Sequence, residues 1–221
     1  SRENFKAIQE AVKRGVKIIL ASGRMADGIH PYLEELGLIK DNNYFVACSG
    51  AVIQNNTRTR KIEGNTLNFK DLKYIYNLAN ELNIGLSVYT DDSILIFYDD
   101  IFSKFDAIVN NVPLKLQDFN TVDDCLLIAK INLVDNGING LKKTKEFFSS
   151  IVLPGDDLKK VDKRESRNTE NHVFEDISKL PRKLLEKYTV VRAMPFAIEI
   201  INKDCNKWNA VKRIASELNI K

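Results

Sequence analysis

Histidine is close to absent: His30 and His172 stand alone, far from each other and from any cysteine. Cysteine is scarce as well, with Cys48, Cys125 and Cys205 widely separated, odd in number and without Cys-x-x-Cys spacing. This argues against a zinc site, and the unpaired thiols fit a reducing, cytoplasmic setting rather than a disulfide framework. No apolar run approaches the roughly 20 residues needed to cross a bilayer, and the first residues lack a secretory-signal pattern. An excess of one charge is also missing. The 33 basic and 30 acidic residues are interspersed and leave a net +3, so composition points to neither nucleic acid nor a membrane surface as partner. Neither Gly-x-Gly-x-x-Gly nor Gly-x-x-x-x-Gly-Lys-Ser/Thr occurs, which disfavours a nucleotide-binding domain. What remains is a 221-residue chain of ordinary apolar content, enough for one large domain or two small ones with a proper core.

The most informative stretch is Gly15-Val16-Lys17-Ile18-Ile19-Leu20-Ala21-Ser22-Gly23-Arg24. A helix-stopping glycine precedes a short apolar segment with branched residues, the composition of a buried parallel strand. The segment ends in a hydroxyl, a residue without Cβ and a planar cation. In open α/β sheets ligands bind at the carboxyl ends of strands, and a hydroxyl, free backbone N–H groups and a guanidinium suit a phosphate oxyanion. The competing reading is a strand, a turn glycine and a surface arginine. A second strand, Tyr44–Cys48, also runs into a serine-glycine pair, Ser49-Gly50.

The amino end reads as a helix with the apolar stripe Phe5, Ile8, Ala11 and Val12. A helix followed by a strand is half of a βαβ crossover, so the chain reads as starting one strand late. Gly28 to Leu36 fits a helix with Pro31 in its first turn, and Val52–Gln54 with Arg58–Ile62 a small hairpin. After Gly64 the rhythm changes: helix Asn68–Leu82, hairpin Gly85–Thr90/Ser93–Tyr98, helix Ile101–Val109, an edge strand Val112–Leu116, strand Leu126–Val134 and helix Asn139–Phe148. This α+β pattern reads as a second domain inserted into the first. A charged, apolar-poor stretch, Asp156–Asn171, reads as a solvated loop or a poorly ordered excursion. Ser178–Lys187 reads as a helix, after which Tyr188–Arg192 and Phe196–Ile201 read as a hairpin or a bend across Met194-Pro195.

Asn206 can cap a last helix, Trp208–Leu218, with Lys207 in its first turn. A cation there is unfavourable by the helix dipole unless an anion is present too; the other reading is a solvent-exposed lysine with no role. The acid pairs Asp91-Asp92, Asp99-Asp100, Asp123-Asp124 and Asp156-Asp157 read as solvated turns rather than a metal site.

Together these pieces resemble the Cof-type sugar-phosphatase branch of the haloacid dehalogenase superfamily (HAD, subclass IIB). The resemblance is carried by Ile18-Ile19-Leu20-Ala21-Ser22-Gly23-Arg24, by Tyr32–Leu38, by Ser49-Gly50-Ala51-Val52-Ile53, and by Phe196-Ala197-Ile198-Glu199-Ile200 followed by Asn206-Lys207 and Ala210–Ile220. It implies an α/β fold: a Rossmann-like core with a parallel sheet, incomplete here, from residues 1–64 and 189–221, and an inserted α+β cap domain over 65–188. It implies a Mg2+-dependent phosphatase of small phosphorylated metabolites such as sugar phosphates. By resemblance Ser22 and Lys207 are the catalytic groups, with Gly23, Arg24, Ser49 and Gly50 near the phosphate or substrate.

The family's Asp-x-Asp-Gly-Thr nucleophile motif and Gly-Asp-x-x-Asn-Asp metal motif do not occur among these residues. The resemblance places them just before Ser1 and just after Lys221, so the Mg2+ ligands are expected outside the chain. Ser49 replaces the family's asparagine and Trp208 a glycine. The alternative is a non-catalytic phosphate- or metabolite-binding regulator with a degenerate HAD fold.

Overall fold

The computed structural model describes residues 2–135, 177–194 and 196–220. In chain order the elements are α1 (Arg2–Lys13), β1 (Leu20–Ala21), α2 (Ala26–Glu35), β2 (Tyr44–Ala47), β3 (Val52–Asn55), β4 (Lys61–Ile62), α3 (Phe69–Glu81), β5 (Gly85–Tyr89) and β6 (Ile94–Ile96). There follow α4 (Ile101–Asn110), β7 (Leu114–Leu116), β8 (Lys130–Val134), α5 (Arg182–Lys187), β9 (Tyr188–Met194), β10 (Ala197–Asn202) and α6 (Lys207–Glu217). The chain divides into two compact units, Ser1–Thr66 with Asp204–Lys221, and Leu67–Lys203. Among the described residues no helix is long and apolar enough to cross a membrane.

The first unit holds a four-stranded sheet in the order β1-β2-β3-β4. β1 runs parallel to β2, with Leu20 opposite Phe45 and Ala21 opposite Val46, whereas β2/β3 and β3/β4 are antiparallel. Tyr44, Val46 and Ile53 pack against Ala210 and Ile214 of α6, with Ile19, Ala21, Val211 and Leu218 around them. Phe45 and Ala47 point to the opposite face by strand alternation and are fully buried. The strand expected before Ser22 is short, only Leu20–Ala21. α1 ends at Gly15, whose φ of +80° lets Gly15 N–H reach Val12 O and Val16 N–H reach Ala11 O, each at 3.0 Å. That closing motif carries the chain through exposed Val16 and Lys17 before it meets β2. α2 starts at Ala26, earlier than expected, so Pro31 lies inside it rather than in its first turn.

The second unit is a six-stranded sheet, order β7-β6-β5-β8-β10-β9, antiparallel except for β6/β7. Its core is formed by Leu86, Val88, Ile131, Leu133, Ile198 and Ile200 on one face, packed with Leu72, Ile75 and Leu78 of α3 and Leu184 of α5. α3 is fixed at its start by a capping box between Asn68 and Asp71. On the other face α4 packs Phe102 and Phe105 against Val134 and Phe196.

The unit boundary corrects the expected one. Residues 189–202, grouped with the core by sequence, belong to the six-stranded sheet, and the second unit spans Leu67–Lys203 rather than 65–188. β10 pairs with β8 through Ala197–Val134, Ile198–Leu133, Glu199–Asn132 and Ile200–Ile131. Both faces of β10 are buried, so its composition is the same whether it lies centrally in a parallel or an antiparallel sheet. The helix expected over Ser178–Lys187 is limited to Arg182–Lys187, with Pro181 at its cap. The expected helix Asn139–Phe148, the charged stretch Asp156–Asn171 with its acid pair, and His172 lie outside the described residues.

Candidate active site

Backbone hydrogen bonds join the two serine-glycine turns of the first unit. Ser22 N–H donates to Val46 O at 2.9 Å, extending the parallel ladder one residue past β1. Ser49 N–H then donates to Ser22 O at 3.0 Å and Cys48 N–H to Arg24 O at 2.8 Å. The Ser22 hydroxyl accepts from Arg24 N–H at 3.1 Å, a local turn bond that leaves its own O–H as a donor. Gly23 sits against Ser49, where an added Cβ would come within 3.2 Å of the Ser49 hydroxyl.

The chain reverses after β2 through three consecutive residues with positive φ: Cys48 (+47°), Ser49 (+60°) and Gly50 (+118°). Such a run is costly for residues with a Cβ. It presses Gly50 onto the backbone of Asn206, leaving no room for a side chain: a Cβ would lie 2.6 Å from Asn206 O. Cys205 Sγ donates to Ser49 O at 3.7 Å in the same contact.

The start of α6 is therefore anchored to the second serine-glycine turn. Asn206 caps it by accepting from Asn209 N–H at 2.8 Å. Asn65 and Asn209 both donate to Asp204 O, at 2.9 and 3.0 Å, and Arg213 holds Asn65 Oδ1 at 2.8 Å. Helical spacing places Lys207 in line with Ala210, Val211, Ile214 and Leu218, the stripe that faces the sheet. Its ammonium pairs with no carboxylate among the described residues, and the residue is exposed.

Of the residues singled out by sequence, Ser22, Gly23, Ser49 and Gly50 thus form one cluster with the helix start that carries Lys207. Arg24 lies at the rim, exposed, with its guanidinium 5.7 Å from the centre of the Tyr32 ring. Sequence reasoning missed the contact of Gly50 with Asn206 and the tight seat of Gly64, where a Cβ would lie 2.0 Å from Ala51 O. The glycines themselves were the only available signal.

The acid pairs do local work. Asp92 accepts from Thr90 and Ser93 hydroxyls at 2.9 and 2.7 Å, bonds that hold its carboxyl below the usual value. Asp100 caps α4 through Ser103 N–H at 2.7 Å, and Asp123 accepts from Cys125 N–H at 2.9 Å. The cluster at the two serine-glycine turns offers hydroxyls, amides and an ammonium, which are donors to an anion. It contains no carboxylate, so it does not fit Mg2+, which takes hard oxygen ligands. Among the described residues the one group of three potential metal ligands is Asp123, Asp124 and Cys125, all exposed and in the other unit.

A family model for haloacid dehalogenase-like hydrolases matches residues 1–221, the whole chain. The chain belongs to this hydrolase family. It is 29% identical over 216 residues to the candidate phosphatase YxeH of Bacillus subtilis (strain 168), covering 97% of this chain and 68% of that protein. Its fold matches a haloacid dehalogenase-like hydrolase from Bacteroides thetaiotaomicron with a TM-score of 0.69 at 18% identity, over 100% of this chain and 71% of that one. It also matches TM0651 from Thermotoga maritima with a TM-score of 0.65 at 18% identity, over 98% and 68% of the two chains. The mixed α/β architecture of this haloacid dehalogenase-like hydrolase is therefore the one shared by solved members of the group.

Proposed function

We propose that this hydrolase is a phosphatase of small phosphorylated metabolites and that Ser22, Gly23, Ser49, Gly50 and Lys207 cradle the phosphoryl group. The observation that carries the proposal is the seating of Gly50 on Asn206, which fixes the helix start bearing Lys207 beside two hydrogen-bonded serine-glycine turns. Phosphoryl transfer depends mainly on positioning and on stabilising charge spread over the equatorial oxygens. In this reading the Ser22 hydroxyl and Gly23 N–H donate to those oxygens. The Lys207 ammonium, together with the positive end of α6, neutralises the charge that grows during transfer. Arg24 and Ser49 contact the rest of the ester.

The nucleophilic carboxylate and the Mg2+ dependence are carried by the family resemblance alone. The cluster supplies neither a nucleophilic carboxylate nor ligands for the ion.

The test is steady-state hydrolysis of an aryl phosphate by the protein that carries this chain. Lys207→Ala should lower the rate on the order of a hundredfold or more, as losing one preorganised charge does in a water-poor site. Ser22→Ala should cost less, up to about tenfold, since one neutral hydrogen bond is lost. The 221 residues alone should bind the ester weakly without turnover. An unchanged rate in Lys207→Ala would reject the assigned role, and robust turnover by the 221 residues alone would place the nucleophile among them.

A further inference from the structure

Trp208 is the only tryptophan in the chain. At 68% exposure it is also the most exposed large apolar side chain among the described residues. It follows Lys207 directly, at the second position of α6, where the cap and the Gly50 contact hold the backbone. Lys212, one turn further on, places its ammonium over the ring, 5.8 Å from the indole centre.

Isolated exposed apolar residues are ordinary. A tryptophan differs in size and stiffness: it offers a large flat face with only two side-chain torsions to restrain, which makes it an effective anchor for binding. Successive residues of a helix lie about 100° apart, so Trp208 and Lys207 leave the same turn of α6 as neighbours around its axis.

We infer that Trp208 is a stacking platform for the organic part of the ester, and that aromatic phosphate esters are the preferred class over acyclic ones. The inference rests on the phosphate-cradle reading above. The phosphate would be fixed by charge and hydrogen bonds, and the ring would add an offset-stacked contact that an acyclic ester lacks. Trp208 acts here on specificity and not on the transfer itself.

Because the chain has a single tryptophan, its emission reports the platform without labelling. In the 221-residue protein, phenyl phosphate should perturb Trp208 emission and shield it from acrylamide, whereas glycerol phosphate and inorganic phosphate should do neither. By calorimetry phenyl phosphate should bind about tenfold more tightly than glycerol phosphate, the scale of one aromatic stacking contact. In Trp208→Ala the two esters should bind alike, with glycerol phosphate unchanged. Equal affinities in the wild type, with silent emission, would overturn the platform and leave the cradle standing. If no phosphate ester binds, the cradle reading fails and takes this inference with it. An indole already shielded from acrylamide without ligand would show that protein covers the ring, and would also overturn the proposal.

Discussion

Replacing Gly50 with alanine should be among the most damaging single-methyl changes in the first unit. The new Cβ would lie 2.6 Å from the carbonyl oxygen, 2.7 Å from the carbonyl carbon and 3.1 Å from the nitrogen of Asn206. These are backbone atoms, held by the Asn206 cap and by the bonds to Asp204 O, so they cannot swing aside as a flexible side chain would. The φ of +118° is unfavourable for any residue with a Cβ. Such a conformation costs roughly 1–3 kcal/mol, and forcing packed groups apart roughly another 1–3 kcal/mol. The variant should therefore lose about 2–6 kcal/mol of stability.

Gly15→Ala is the control. It shares a positive φ, +80°, but has nothing within 4 Å of the added Cβ, so it should cost only about 1 kcal/mol. Urea unfolding followed by far-ultraviolet circular dichroism measures the loss in both variants. Equal losses in the two variants, within about 0.5 kcal/mol, would refute the packing argument. The same displacement should move the start of α6, so on the proposed phosphatase reading a folded Gly50→Ala variant should also hydrolyse an aryl phosphate slowly.

Two further predictions concern the second unit. Burial pushes the Asp100 carboxyl up to about 6 despite hydrogen bonds from Ser103, against about 3.9 in the unfolded chain. Its contribution to stability is thus full below about pH 4 and lost as pH rises through about 6. Asp100→Asn, which keeps a cap acceptor for Ser103, should gain on the wild type by about 2–3 kcal/mol between pH 4 and pH 7.5 in urea titrations; a pH-independent difference would contradict the assignment. For Asp71, burial acts to raise the pKa but is outweighed by bonds from Lys187, Asn68 and Tyr188, leaving the carboxyl below its usual value. The Lys187 ammonium and Tyr188 hydroxyl lie 2.7 and 2.8 Å away. Asp71→Ala removes this anchor and half of the capping box, so it should cost about 2–3 kcal/mol near pH 7. Because the folded pKa is depressed, the penalty should shrink as pH falls below about 4; a penalty that grows in acid would be the wrong sign.

Much of the local structure was legible because its causes are local. The apolar stripe Ala210, Val211, Ile214 and Leu218 and the asparagine before Lys207 define α6 without reference to the rest of the chain. Asn68 and Asp71 do the same for α3. The two serine-glycine pairs stood out as strand ends, and the hairpin across Asp91-Asp92 followed from two apolar runs and a polar turn. The described structure has β5 and β6 paired antiparallel there.

Partnership was not legible. β10 is buried on both faces, and that pattern carries no information about which strand lies beside it; only the register with β8 assigns it to the six-stranded sheet. Lys130 and Glu199, 69 residues apart, form a buried ion pair at 2.8 Å, and nothing in either segment announces the other. The sequence by itself determined the helices, their caps and the residue types able to hold an anion, because those depend on neighbours within a turn or two. Tertiary structure alone decided that the left-handed turn at Cys48–Gly50 meets the backbone of Asn206. That contact joins segments more than 150 residues apart, and it rests on the absence of a side chain, which leaves no periodicity to read.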